Sequence, residues 1–216
     1  MLARLLPLIA TLLVGAAQGL AFRPSSAPIA AWTWVSGAYA ICLVIALAYL
    51  RSEDAIVEQL RYAGGDAARG LLLAAGALVV VYGASAAAMA LLPTLATREL
   101  YLLVEKTVAV PQPWQRALAL VPLAAAEEIV WRGGVLRALE GRVGSARARW
   151  LAGALYVLSV VPTLRAPMIG AAVVIAVATT LLVRRTGRVL PAIVGHAMFS
   201  WLVVDLLMPT LWNAVK

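Results

Sequence analysis

Apolar residues are gathered along this chain into long runs, separated by short breaks that hold most of the charge. Seven runs stand out: Leu5 to Phe22, Pro28 to Leu50, Gly70 to Leu92, Trp114 to Leu136, Trp150 to Pro162, Pro167 to Val183 and Val189 to Met208. Most reach the ~17–25 residues that a membrane-spanning helix needs. The pattern predicts an all-α, polytopic transmembrane helix bundle of about seven spans, forming a single transmembrane domain over 1–216. The fifth run is short, and fits a tilted helix or one sheltered by its neighbours.

Arg4 precedes the first run, as in a signal peptide. The run is read instead as a retained helix, because it continues to Phe22 and no A-x-A site closes it. Arg51 to Arg69 mixes charges with a Gly64-Gly65 break and reads as a connector. Thr97 to Val108 is amphipathic, with Leu100, Leu103 and Val104 against Arg98, Glu99, Glu105 and Lys106. It reads equally as an interfacial helix along the membrane surface or as a solvated linker. There is no internal repeat and no low-complexity tract.

Composition sharpens this picture. The 216 residues are 63% hydrophobic and 13% charged, with a mean hydropathy of +0.93. A soluble domain averages nearer half apolar, so lipid is the solvent that accommodates this surface. The net charge is +8, but the basic residues sit in short loops rather than on one face, which argues against a nucleic-acid partner. The single cysteine, Cys42, lies inside an apolar run and reads as a packing residue. The single histidine, His196, excludes any zinc site built on two histidines. Sixteen arginines against two lysines, with abundant alanine, fit a GC-rich bacterial genome.

Charge placement sets an orientation. With the N-terminus in the cytoplasm, eleven basic residues fall inside (Arg4, Arg51, Arg61, Arg69, Arg137, Arg142, Arg147, Arg149, Arg184, Arg185 and Arg188). Six fall outside: Arg23, Arg98, Lys106, Arg116, Arg165 and Lys216. The positive-inside rule favours this arrangement. The expected location is the bacterial inner membrane, multi-pass, with a cytoplasmic N-terminus.

Ionisable residues within a span are costly and are functional candidates by default. The fourth run carries Glu127, Glu128 and Arg132; the seventh carries His196 and Asp205. Glu128 and Arg132 are four residues apart, share a helix face and can pair. Glu127 is turned ~100° away and has no partner on its own helix. It is suited to act as a general base near neutral pH. Counting ~1.5 Å per residue, Glu127 and His196 reach similar depths and are expected to face each other across a cavity opening to the cytoplasmic half. Asp205 is out of phase with His196, near the outer end, and reads as an interfacial or helix-packing residue.

Glu127-Glu128-x-x-x-Arg132 resembles the first motif of the CAAX-protease and bacteriocin-processing family of intramembrane glutamic endopeptidases (CPBP, or ABI). That family carries E-E-x-x-x-R, then F-x-x-x-H, then H-x-x-x-N on successive helices. His196-Ala-Met-Phe-Ser200 resembles the third motif, with Ser200 in place of asparagine. Tyr156-Val-Leu-Ser-Val160 aligns with the second, with Tyr156 for phenylalanine and Val160 for histidine. On an ideal helix the neighbouring Ser159 does not point the same way. The resemblance covers roughly Trp114 to Val204, within a motif-bearing core at 113–208.

The resemblance implies a hydrolase that cuts membrane-associated or C-terminal segments of proteins. Glu127 would deprotonate a water, Glu128 and Arg132 would orient the base, and His196 and Ser200 would donate to the developing oxyanion. No cofactor and no metal is implied; the partners are a protein or peptide substrate in the membrane and the lipid bilayer. Val160 keeps a second reading open, a catalytically impaired relative acting as a membrane scaffold, chaperone or immunity factor. A third is a small transporter with a proton-coupled Glu127/His196 pair, against which the missing inverted repeat counts.

Overall fold

The fold is known from a computed structural model, which describes residues 2–23, 25–107 and 112–215. Val108 and Lys216, and the side chain of Arg4, lie outside the described residues. Among the described residues the chain is all helical, without strands. The helices are α1 (Leu2–Ala21), α2 (Ala30–Ser52), α3 (Ile56–Leu60), α4 (Asp66–Leu91), α5 (Pro93–Thr107), α6 (Pro113–Glu128), α7 (Leu136–Val143), α8 (Ser145–Val160), α9 (Ala166–Thr186), α10 (Leu190–Leu202) and α11 (Met208–Val215). A π-helical turn, Ile129–Val135, joins α6 to α7, and a second, Val203–Leu207, joins α10 to α11.

Four helical stretches are long and apolar enough to cross a bilayer: Ala30–Ser52, Asp66–Leu91, Ala166–Thr186 and Leu190–Asn213. The other three predicted runs are helical too. The first is a shorter apolar helix, Leu5–Ala21. The fourth is interrupted by its own charges, and the fifth is the 16-residue α8. Large side chains face outward along these helices, such as Leu12, Val44, Leu72 and Leu118. An outward apolar face is what a lipid solvent demands.

The core repeats the helical period. On α1, Leu6, Ala10, Val14, Ala17 and Ala21 are buried at three- or four-residue intervals, a stripe on one face. That stripe packs α1 against α2 and α8. α10 runs through the middle, touching α4, α6 and α9.

Glycine makes the α4–α10 crossing close. A Cβ on Gly70 would lie 2.8 Å from the Pro191 carbonyl oxygen, and one on Gly195 would lie 2.9 Å from the Gly70 carbonyl oxygen. Only residues lacking a side chain let two helix backbones approach so far.

Polar ties hold each end. At one end the Asp66 carboxylate accepts from Arg188 at 2.6 Å, Arg69 at 3.3 Å and the Ala63 backbone at 2.9 Å. The Val189 amide donates to the Gln59 carbonyl at 3.0 Å. Gly65, at φ +85°, sets the entry to α4, so the break read at Gly64-Gly65 is a real turn, and α3 is a short helix within that connector. At the other end Arg165 pairs with Glu99 at 3.1 Å and Arg116 Nε with Asp205 at 2.8 Å, while Lys106 donates to the Ser26 carbonyl and hydroxyl. Each set joins segments that the charge count had placed on one side of the membrane.

The amphipathic segment is helical as α5, but two of its charges are not solvated. Lys106 is buried and Glu99 is held by Arg165. The long basic side chain reaches a loop carbonyl, so the supposed polar face is partly an inter-helix contact. Asp205, read as an interfacial or helix-packing residue, ties α6 to the α10–α11 turn through Arg116. Cys42 is fully buried in α2.

Candidate active site

α6 delivers two adjacent carboxylates, and the π-turn that follows delivers the arginine. A π-turn is wider than an α-turn and is frequent at functional sites. Here it buries six consecutive residues, Val130 to Val135. Gly134 and Gly133 let this wide turn lie against α2: a Cβ on Gly134 would meet Ala46 and Leu6 at 2.9 Å, and one on Gly133 would meet Leu50 at 3.2 Å.

The sequence-named residues converge. His196 Nδ1–H donates to Glu128 Oε1 at 2.8 Å. The same oxygen is 3.3 Å from Arg132 Nη1. His196 Nε2 lies 3.8 Å from Glu127 Oε2. Glu128 is fully buried, Arg132 is 3% exposed and His196 5%, while the Glu127 side chain keeps 12% exposure. The pairing of Glu128 with Arg132 and the facing of Glu127 and His196 are as the sequence predicts. The short contact of the imidazole, however, is with Glu128. With Nδ1 donating to Glu128, the neutral ring leaves Nε2 unprotonated toward Glu127, and the imidazolium would donate there.

Aromatic rings enclose the group. The Arg132 guanidinium lies 4.8 Å from the centroid of Tyr156, a desolvated cation–π contact. Tyr156 packs edge-on to His196, with centroids 6.4 Å apart, and to Trp131 at 5.9 Å. Trp131 Nε1–H donates to the Tyr39 hydroxyl at 3.1 Å, which fixes the indole from α2. In a low-dielectric interior an imidazole bonded to Glu128 and packed against the Tyr156 ring has little freedom to swing.

The remaining named residues lie close by along their helices. Ser200 is one turn beyond His196 on α10, half-buried, and its side chain makes no hydrogen bond among the described residues. Val160 is one turn beyond Tyr156 on α8 and only 4% exposed, so it faces the protein interior and not lipid. The Ser159 hydroxyl is turned back onto its own helix, donating to the Tyr156 carbonyl at 2.7 Å.

Two grooves of the described surface lie away from these residues, one lined by Arg98, Tyr101 and Trp212 and the other by Tyr49, Glu53, Arg137 and Arg142. Among Glu127, Glu128, Arg132 and His196, the Glu127 side chain is the most exposed. Among the described residues no cluster of three or more His, Cys, Asp and Glu has the geometry of a metal site.

Sequence reasoning missed two contributors. Tyr39 of α2 anchors Trp131, and Gly70 sets how near α10 can come. The signals were present but diffuse: a hydroxyl-bearing ring inside one apolar run and a glycine opening another.

Over residues 109–202 the chain matches the family described as type II CAAX prenyl endopeptidase Rce1-like. No curated protein and no solved structure matches it. The matched stretch contains Glu127, Glu128, Arg132, Tyr156, Val160, His196 and Ser200, together with the whole π-turn. Over residues 109–202 this membrane protein is similar to the Rce1-like, CAAX prenyl endopeptidase family.

Proposed function

We propose that this chain is an intramembrane endopeptidase that hydrolyses membrane-associated or C-terminal segments of protein substrates with a glutamate-activated water. The observation that carries the reading is the His196 imidazole held between two adjacent carboxylates, with only one of them neutralised by Arg132. Glu128 is committed to holding the arginine and the ring. Glu127 is left as the carboxylate with access to a water.

In this reading Glu127 takes a proton from the water as the oxygen bonds to the scissile carbonyl carbon. The carbonyl π pair moves onto its oxygen. His196, as the imidazolium with its Nε2–H, and Ser200, whose hydroxyl has no other partner among the described residues, donate to that oxyanion. The oxyanion then re-forms the carbonyl, the carbon–nitrogen bond breaks, and the leaving amine takes the proton from Glu127. One water and one peptide bond become a carboxylic acid and an amine. Preorganised donors aimed at a developing charge in a dry site are the largest usual source of acceleration.

The location that fits is the bacterial inner membrane with the N-terminus in the cytoplasm, on the count of basic residues in the loops. Cysteines placed singly at Arg61 and at Arg98 test it: reagent that does not cross membranes should label the second from outside and not the first.

Val160 favours a second reading, a family member that has lost catalysis and acts as a scaffold, chaperone or immunity factor. Glu127→Gln separates the two. Membrane-protein C-termini are compared by mass spectrometry in cells carrying the parent or the variant. New C-termini that depend on Glu127 support proteolysis; identical C-termini and an unchanged phenotype support the scaffold.

A further inference from the structure

Two spans finish at the same end of the bundle. Asp66 opens α4, and Arg188, just before α10, donates to it at 2.6 Å. Gly70 then meets Pro191 and Gly195, so the two helices start side by side and run the same way. Their apolar stretches end at Leu91 and Asn213. There α5 follows α4 and packs against α11, and Tyr101 of α5 stands beside Trp212 of α11, with ring centroids 5.7 Å apart.

A groove of about 530 Å³ lies between these helices, lined by Pro93, Thr94, Thr97, Arg98, Tyr101 and Trp212. Thr94, Thr97, Arg98 and Tyr101 are spaced i, i+3, i+4 and i+7, and so share one face of α5. Arg98 is exposed. Neither its guanidinium nor either threonine hydroxyl has a hydrogen-bond or ion-pair partner among the described residues. None of the described residues lining the groove is acidic. Glu99 is engaged by Arg165 at 3.1 Å, and Glu105 stands two turns further along α5. Leu91, Leu92 and Leu95, next to the groove in the chain, are exposed.

Each part matches one portion of a lipid. A guanidinium and two hydroxyls donate to a phosphate. Tyrosine and tryptophan sit at the headgroup level of a bilayer, and exposed leucines offer apolar surface to acyl chains. One positive charge with no carboxylate beside it complements a headgroup that carries the phosphate charge and no ammonium.

We propose that this groove binds one anionic phospholipid, with Arg98, Thr94 and Thr97 on its phosphate and the acyl chains along Leu91, Leu92 and Leu95. The site is separate from Glu127 and His196, and its test does not depend on proteolysis.

The full chain is purified in detergent and mixed with phosphatidylglycerol, phosphatidylethanolamine or inorganic phosphate, and bound species are counted by native mass spectrometry. The parent is expected to hold one phosphatidylglycerol about fivefold more tightly than phosphatidylethanolamine, the factor that one interfacial arginine contributes toward anionic lipid. Arg98→Gln should lose that preference, and Arg98→Lys should keep most of it. Arg23 is another exposed arginine at this end, in the loop that Lys106 of α5 ties down through Ser26; Arg23→Gln should leave the preference intact. Equal binding of the two lipids by the parent overturns the proposal. An equal loss in Arg23→Gln also overturns it, since the attraction would then be diffuse. Inorganic phosphate that displaces the lipid over the same concentration range overturns the lipid assignment in favour of free phosphate. If Arg98→Gln fails to fold, the parent, Arg98→Lys and Arg23→Gln still decide among these results.

Discussion

His196 Nδ1 and Glu128 Oε1 are 2.8 Å apart, and that oxygen also faces Arg132 Nη1 at 3.3 Å. One carboxylate oxygen thus serves the ring and the guanidinium at once. Removing it leaves Arg132 without a counter-charge in a buried place and lets the imidazole turn. Breaking a buried ion pair from one side costs about 3–5 kcal/mol. Glu128→Ala is expected to lower the unfolding temperature in detergent and abolish cleavage. A variant as stable as the parent would show that Glu128 does not hold this group.

Arg132→Lys keeps the charge and loses the planar group that lies over Tyr156. A desolvated cation–π contact of this kind is worth about 1–2 kcal/mol, and lysine lacks the rigid fork that arginine offers a carboxylate. The expected outcome is a folded protein with a modest stability loss, measured by thermal unfolding, and reduced product formation in the C-terminus assay.

The α4–α10 crossing sets where His196 stands. Gly195→Ala puts a Cβ 2.9 Å from the Gly70 carbonyl oxygen, and the backbone there has nowhere to yield except by separating the helices. Overpacking of this kind costs about 1–3 kcal/mol. Both stability and cleavage should fall. Gly76→Ala on the same α4, where a Cβ meets nothing within 4 Å, is the control, expected to be neutral or stabilising by about 0.5–1 kcal/mol. Equal effects of the two would mean that the crossing is not close in the membrane.

Arg116 and Asp205 join α6 to the turn after α10, well along both helices from Glu127 and His196. Arg116→Ala leaves the Asp205 carboxylate poorly matched, at a cost of about 1–3 kcal/mol. Thermal unfolding should register that loss, while product formed per folded molecule should remain at the parental level. A selective loss of cleavage would place this pair in the chemistry.

Glu128 is already engaged by Arg132 and His196, which leaves Glu127 and the far imidazole nitrogen as free ligands, fewer than a stable metal site uses. Incubation with a chelator is expected to leave cleavage unchanged. Activity lost to chelator and regained on adding a divalent metal would require a different mechanism.

The apolar runs and their charged breaks determined that this chain is a helical membrane protein, because burial in lipid is written locally, in the length and composition of each run. Glu127, Glu128, Arg132 and His196 were legible for the same reason: a charge inside an apolar run is conspicuous without any knowledge of neighbours. The pairing of Glu128 with Arg132 needed only the helical repeat. Which carboxylate holds the imidazole was not legible, since it depends on how α10 is rotated against α6. The close approach of α10 to α4 was hidden for the same reason, since Gly70 and Gly195 are far apart in sequence and meet only in the fold. The π-turn at Ile129–Val135 and the anchoring of Trp131 by Tyr39 were decided in the same way, by packing between helices, where residue spacing along one helix carries no information.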